Sequence, residues 1–186
     1  MIGYAFCGSF CTHAASLTQL RALVTAGEEV LPIVSDNVFA TDTRFGRAAD
    51  LLRELQALTG HTVIHSISDA EPLGPKTPLE LLVIAPCTGN TLAKMAHGIT
   101  DTPVTMAAKA HLRADRPLLL ALASNDALSA NLGNLATLAM RKSVFFVPMR
   151  QDDPRGKPHS LVADFSLLPA ALAAARKGEQ LRPMFL

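Results

Sequence analysis

The sequence alternates short apolar runs with stretches in which apolar residues recur at helical spacing, and this order restricts the folds open to it. The apolar runs predict buried strands, which we place at residues 2–7, 30–34, 62–65, 79–85, 117–122 and 144–147. The helical patterns predict helices, which we place between Thr12 and Gly27 and at residues 44–58, 89–96, 127–140 and 165–177. Strand–helix alternation implies right-handed crossovers, and therefore an α/β sandwich with a doubly wound parallel sheet.

One domain spanning residues 1–186 accounts for the length, because no linker, internal repeat or low-complexity segment interrupts the pattern. The polar, proline-containing segment 151–160 is interpreted either as a flap over a site or as a surface loop. Hydrophobic residues make up 49% of the chain, which excludes overall disorder and suggests a buried interface between copies, hence a homo-oligomer.

Charge and cysteine usage exclude several classes of function. Lys+Arg is 17 and Asp+Glu is 16, so a net charge of +1 gives no field to attract nucleic acid or an anionic membrane. The apolar runs are too short to span a bilayer, and the N-terminus does not resemble a signal peptide, so we expect a cytoplasmic protein. The three cysteines are expected to be free thiols, with Cys7 and Cys11 buried or half-buried. The cysteines and histidines do not have the spacing of zinc ligands, so we predict no metal site.

Polar loops follow three of the predicted strands, at the sheet edge where ligands of such folds bind. They are residues 8–12, 35–37 and 85–91, and the first and third lead directly into helices. Helix N-termini offer backbone N–H groups to a phosphate. The first loop could equally be a capped turn and the second is by itself an ordinary turn, whereas the third is the better site for a phosphate or a polar ring. The chain has no G-x-G-x-x-G motif and no Walker lysine in the first loop, which disfavours a dinucleotide or a triphosphate.

Residues 84–101, IAPCTGNTLAKMAHGITD, resemble the core motif of the flavoprotein family. That family includes flavin-containing cysteine decarboxylases, phosphopantothenoylcysteine decarboxylases and flavin prenyltransferases. Its pattern is an apolar strand, Ala-Pro, small residues, Asn-Thr, a short helix with Lys, then Gly-Ile and Asp. The resemblance implies a Rossmann-like or flavodoxin-like flavoprotein fold, an FMN cofactor, and a homo-oligomer with flavin between its copies.

Five further segments resemble one branch of this family, whose members are one component of a bacterial two-component synthase. These segments are residues 41–46, 71–76, 106–110, 125–128 and 151–154. In that branch a separate dehydrogenase-like component is the partner, and the pair oxidises a dihydrodipicolinate-type intermediate to pyridine-2,6-dicarboxylate during sporulation. The resemblance implies an oxidoreductase component in the mother-cell cytoplasm, a small dicarboxylate substrate, and NADP on the dehydrogenase-like partner. It leaves open whether this chain is a flavin-dependent catalyst or a noncatalytic component that supports that partner.

The same resemblance implies a set of flavin-contacting residues: Gly8, Ser9, Phe10, Ser35, Asn37, Pro86, Thr88, Gly89, Asn90, Thr91, Ser124 and Asn125. We expect Cys87, within the third loop, to line the same site. The decarboxylases carry Pro-x-Met-Asn where this chain has Ala-Ser-Asn-Asp at residues 123–126. That difference counts against the alternative function, a stand-alone FMN-dependent decarboxylase or prenyltransferase.

Catalytic and substrate-binding residues are less well marked. His65 lies near the position of the decarboxylase histidine and is a candidate acid or base, with His61 as a rival and a plain polar strand end as the other interpretation. Lys76 and Lys109 are candidates for a dicarboxylate clamp, because cations suit carboxylate groups.

Overall fold

A computed structural model describes residues 1–74 and 76–186, and at its centre lies a mostly parallel sheet. The described strands are β1 (Ile2–Phe6), β2 (Val30–Val34), β3 (Leu81–Cys87), β4 (Leu118–Ser124), β5 (Val144–Phe146), β6 (Met149–Arg150) and β7 (Leu161–Ala163). Their order across the sheet is β2-β1-β3-β4-β7-β6, and β5 also pairs with β4. Strands β1 to β5 run parallel, whereas β7 is antiparallel to both β4 and β6.

Helices cover both faces of the sheet, as the alternating pattern predicts. They are α1 (His13–Thr25), α2 (Asp36–Ala40), α3 (Ala48–Thr59), α4 (Ile67–Ala70), α5 (Gly89–Ala96), α6 (Pro103–Leu112), α7 (Leu132–Ala139) and α8 (Leu168–Arg176). Within the described residues, none of them combines the length and the apolar character needed to cross a membrane.

Strand β4 shows how the sheet separates two hydrophobic layers. Leu118, Leu120 and Leu122 pack with α5, α6 and α7 on one face, while Leu119 and Ala121 pack with α1, α3 and α8 on the other. Each of these five side chains is fully buried, which is expected of a parallel strand covered on both faces. The predicted fold class, a doubly wound α/β sandwich of the flavodoxin-like type, is confirmed.

Several local predictions were wrong, each for a physical reason. Residues 62–65 form no strand, because only Ile64 pairs with Ile33, beyond the edge strand β2. Helix α7 begins at Leu132 rather than at residue 127, since residues 125–131 turn around Asp126. Helix α6 was not predicted, although Thr102 and Thr105 form a reciprocal capping box at its start.

The antiparallel β6–β7 hairpin was also not predicted from the sequence. Strand β6 has two residues and β7 has three, which is too short for a period-2 pattern to be recognised. The hairpin pairs with Ala123 and Ser124 at the carboxyl end of β4, while β5 pairs with the amino end of that strand. Segment 151–160 is therefore the loop of a hairpin that adjoins the carboxyl edge of the parallel sheet.

Candidate functional site

The carboxyl ends of β1, β3 and β4 open into a groove of about 690 Å³, which is the candidate functional site. Its lining comes from the loops after these strands, from residues 44–45 and from the β6–β7 hairpin. The lining residues are Gly8, Ser9, Phe10, Cys11, Thr12, Arg44, Phe45, Thr88, Gly89, Asn90, Ala123, Ser124, Asn125, Asp126, Asp152, Lys157, Ser160 and Val162. The groove lies where ligands of doubly wound sheets bind.

The structure brings most of the predicted flavin-contacting residues together in this groove. Those that line it are Gly8, Ser9, Phe10, Thr88, Gly89, Asn90, Ser124 and Asn125. The other four do not line it. Ser35 caps α2, and Asn37 lies beside Gly8. Pro86 is buried within β3, and Thr91 is buried in α5.

The third predicted loop forms the N-terminus of α5. The Thr88 hydroxyl accepts a hydrogen bond from the Thr91 backbone N–H at 3.2 Å and donates to Thr91 Oγ1 at 3.0 Å. The Thr91 hydroxyl in turn donates to Cys7 Sγ at 3.3 Å, which ties the helix to β1. Both hydroxyls are therefore used within the protein. The N–H groups of Gly89 and Asn90 have no intrahelical acceptor and form the positive end of the helix dipole.

A polar cluster, formed by Ser124, Asp126 and Asn131, packs against Gly89 at the N-terminus of α5. The Ser124 hydroxyl donates to the Asp126 carboxylate, and Asn131 Nδ2 donates to Asp126 Oδ2 at 2.9 Å. Gly89 packs so closely on the cluster that a Cβ there would overlap Ser124 Oγ and lie 2.6 Å from Asn131 Nδ2. Glycine is thus required at position 89 by space, and Asp126 places a carboxylate beside the N-terminus of α5.

The first predicted loop is held by a buried histidine that the sequence analysis missed. His13 Nε2 donates to the Cys7 carbonyl at 2.8 Å, and its ring packs against Phe10 with the centroids 5.1 Å apart. Burial lowers the pKa of His13, so its neutral form is favoured. Thr12 does not cap α1, because its hydroxyl donates to the Ser9 carbonyl at 2.8 Å. His13 therefore positions Phe10 at the groove wall.

The loop of the β6–β7 hairpin supplies the opposite wall. Asp152 accepts hydrogen bonds from Lys157 Nζ at 2.8 Å and from Ser160 Oγ at 2.6 Å. The Lys157 ammonium holds the pKa of the Asp152 carboxyl below its usual range. Leu128 N–H donates to the His159 carbonyl at 2.9 Å, which ties the loop to the turn after β4.

Arg44 and Phe45 enter the groove from the segment between α2 and α3, and sequence reasoning did not single them out as site residues. The Arg44 guanidinium lies 4.9 Å from the centroid of the Phe45 ring, which is half exposed. Phe45 and Phe10 also line a neighbouring cavity of about 270 Å³ between α1 and α3. The resemblance of residues 41–46 to the family was the available signal for this part of the site.

The predicted acid–base and clamp residues lie elsewhere. His65 is exposed and stacks on Phe39 with ring centroids 4.0 Å apart, outside the groove lining. Lys76 is exposed after the 3-10 turn Glu71–Leu73. Lys109, on α6, lines a separate cavity. No residue near the groove was predicted as an acid or base, yet Asp126 and Asp152 are there.

Two of the three thiols, those of Cys87 and Cys11, differ from the sequence-based expectation. Cys87 does not line the groove; it is fully buried, and burial raises its pKa well above the ordinary range. Cys7 is also buried, and burial raises its pKa to about 11. Cys11, expected to be buried or half-buried, is exposed at the groove. The two buried thiols are packing groups rather than nucleophiles, because a high pKa suppresses the thiolate.

Comparison with known proteins gives consistent results. Residues 9–164 match the family model described as Flavoprotein. The chain is 48% identical to the B subunit of dipicolinate synthase from Bacillus subtilis (strain 168) over 185 residues, covering 100% of this chain and 92% of that protein.

Solved structures show the same likeness. The crystal structure of the B subunit of dipicolinate synthase from Bacillus halodurans C superimposes with a TM-score of 0.91 at 41% identity, covering 100% of this chain and 95% of that one. The FMN-dependent cysteine decarboxylase SpaF has a TM-score of 0.66 at 26% identity, covering 94% and 95% of the two chains. The branch predicted from the five segments is confirmed, and the chain belongs to the flavoprotein family.

Proposed function

We propose that the chain is the flavin-binding oxidoreductase component of a two-component synthase that oxidises a dihydrodipicolinate-type intermediate to pyridine-2,6-dicarboxylate. One observation carries the proposal: the groove gathers eight of the twelve residues that the family resemblance assigns to flavin. The full-length similarity to the B subunit of dipicolinate synthase supports the choice of reaction. The family relationship and the FMN-dependent relative SpaF support the choice of cofactor.

The residues of the groove fit a flavin mononucleotide. Its phosphate would lie at the N-terminus of α5, beside Gly89 and Asn90, with the Asn90 side chain and the Arg44 cation in the same groove. Its ring would lie against Phe10 and Phe45, which supply flat apolar surface. Bound there, the flavin would supply a two-electron acceptor for the oxidation.

The chain's own residues would bind the substrate and manage the proton. Aromatisation of a dihydropyridine ring removes one hydride and one proton. Asp126 is fixed by the Ser124 hydroxyl and the Asn131 amide and faces the groove, so its carboxylate is our candidate proton acceptor. The Lys157 ammonium, beside Asp152, is our candidate partner for a substrate carboxylate.

The partner assignments belong to the same proposal. The dehydrogenase-like component of dipicolinate synthase would be the partner, and NADP would bind to that component because this chain lacks a G-x-G-x-x-G motif. Exposed apolar side chains, including Met140 at 81% exposure, support a homo-oligomer. The proposed location is the mother-cell cytoplasm.

A noncatalytic role is the second candidate, and one observation favours it. The Asp126 carboxylate lies beside the α5 N-terminus, where it would repel a phosphate group. In that role the chain would keep the family fold without flavin and would support the dehydrogenase-like component.

Reconstitution with the dehydrogenase-like component tests the choice between the two roles. Formation of pyridine-2,6-dicarboxylate would be followed by absorbance with that component alone, with both components, and with both components plus FMN. The proposal predicts that FMN raises the rate at least tenfold and that Asn90→Ala removes the increase. A full rate with flavin-free protein would instead establish the noncatalytic role. Release of carbon dioxide from a cysteine-containing substrate would favour the decarboxylase alternative.

A further inference from the structure

A further cavity, of about 320 Å³, lies on the helical face formed by α5 and α6. Apolar side chains of Met95, Ile99, Ala108 and Leu112 contribute its floor. Three cations surround it, namely Lys109, Arg113 and Arg141, and no acidic residue is among its lining residues. It shares no lining residue with the groove at the carboxyl ends of the strands.

These three cations differ from neighbouring cations in their pairing. Nearby, Lys94 pairs with Asp101 at 2.8 Å and Lys142 pairs with Asp115 at 3.3 Å. Within residues 1–74 and 76–186, none of the three cations at the cavity forms a salt bridge. The Arg141 guanidinium instead donates to the Met95 carbonyl, at 3.4 Å.

An apolar pocket with one sign of charge at its rim concentrates ligands of the opposite charge. Arginine side chains bind carboxylates through two parallel N–H bonds, so neighbouring cations can hold two carboxylates of one small molecule. The cavity volume is at the lower end of ligand pockets, which run from about 300 to 1,000 Å³. A single ring with two carboxylates suits that volume, whereas a flavin nucleotide is too large for it.

We propose that this cavity is a binding site for a small aromatic dicarboxylate, separate from the flavin groove. The ring would lie on the Met95 and Leu112 side chains, and the carboxylates would meet Lys109 and Arg113, with Arg141 completing the rim. The identity of the ligand as pyridine-2,6-dicarboxylate rests on the proposed function. The site itself rests on the cavity and on the positive charge at its rim.

Isothermal titration of the full chain with pyridine-2,6-dicarboxylate, in metal-free buffer, tests the proposal. Lys109→Gln and Arg113→Gln should each weaken binding at least tenfold, because each removes one charge-assisted contact. Lys142→Gln is the matched control, since it removes an exposed cation that is already paired, and it should leave affinity within twofold. Pyridine-2-carboxylate, which has one carboxylate, should bind at least tenfold more weakly than the dicarboxylate.

Two results would overturn the proposal. One is the absence of saturable binding to the unmodified chain. The other is binding that survives Lys109→Gln and Arg113→Gln but is lost in Arg44→Gln, which would place the dicarboxylate in the groove. FMN titration of the unmodified chain and of the Lys109→Gln variant separates this proposal from the proposed function. If FMN binds to neither protein while dicarboxylate binding still depends on Lys109, the flavin role fails and the cavity assignment stands.

Discussion

The two walls of the groove are built in different ways. The wall at the strand ends consists of helix N-termini and buried polar groups, with Gly89 in contact with the cluster of Ser124, Asp126 and Asn131. The wall from the β6–β7 hairpin depends on an ion pair between Lys157 and Asp152, whose side chains are 54% and 34% exposed. Buried hydrogen bonds leave costly unpaired groups when they break, whereas exposed ion pairs contribute little. The strand-end wall should therefore be rigid and the hairpin wall adjustable.

The largest effect is expected from adding one methyl group to the rigid wall. Gly89→Ala would push a Cβ into Ser124 Oγ and Asn131 Nδ2, and neither atom can move without breaking a hydrogen bond of the cluster. We expect the free energy of unfolding, measured in urea, to fall by about 1–3 kcal/mol, as in other overpacked sites.

Gly133→Ala is the matched control for this substitution. A Cβ at position 133, on α7, meets nothing within 4 Å. Alanine is favoured over glycine within helices by about 1 kcal/mol, so this variant should be as stable as the parent or more so. Equal losses of stability in the two variants would contradict the close packing of Gly89.

A smaller difference in the free energy of unfolding is expected between alanine variants of two aspartates, one on each wall. Asp126→Ala leaves the buried Ser124 and Asn131 side chains without their acceptor, so we expect a loss of about 2 kcal/mol. Asp152→Ala leaves the buried Ser160 hydroxyl without its acceptor and frees the exposed Lys157, and we expect about 1 kcal/mol. Urea unfolding of both variants measures the difference, and a larger loss for Asp152→Ala would reverse the proposed contrast.

The same contrast explains what the sequence allowed us to predict. The strands β1 and β3 and the helix α5 have local patterns, a buried apolar run followed by a helix start, so both the elements and the residues 88–90 could be predicted. The hairpin has strands of two and three residues, and its role arises from pairing with β4 rather than from its own pattern. Segment 151–160 was therefore predicted only as a flap or a surface loop, and Asp152, Lys157 and Ser160 were not singled out within it.

Missed residues on the rigid wall have a different explanation. His13 lies at the start of the helix predicted between Thr12 and Gly27, and nothing in the local pattern distinguishes an exposed first-turn histidine from one whose ring is buried against Phe6 and Phe10. Asp126 directly precedes residue 127, where a helix was predicted to begin. Its role became apparent only once the fold brought it beside Gly89.

The smallest changes in stability are expected from pH, and they should occur in different pH ranges for the two walls. Because burial lowers the pKa of His13, the unfolded chain binds a proton more readily than the folded chain as pH falls below the ordinary value of 6.5. Stability should therefore decrease as pH falls from 7 to 5. Buried His111, whose pKa is also lowered by burial, contributes in the same direction.

His13→Gln should flatten this decrease while keeping a donor to the Cys7 carbonyl. The urea midpoint of the parent and the variant, measured at several pH values between 5 and 7.5, gives the two slopes. Identical slopes would show that His13 is not responsible. On the hairpin wall the pKa of Asp152 is lowered by Lys157, so its contribution is present above the ordinary value of 3.8 and is lost only below it.

Titration of the full chain with FMN, followed by quenching of flavin fluorescence, tests directly whether the groove binds flavin. We expect saturable quenching that Asn90→Ala weakens at least tenfold, because the substitution removes a polar side chain at the α5 N-terminus inside the groove. Gln56→Ala, which removes an exposed amide from α3, should bind FMN like the parent. Absence of quenching at high FMN, or equal affinity in the parent and both variants, would contradict the assignment of this groove to flavin.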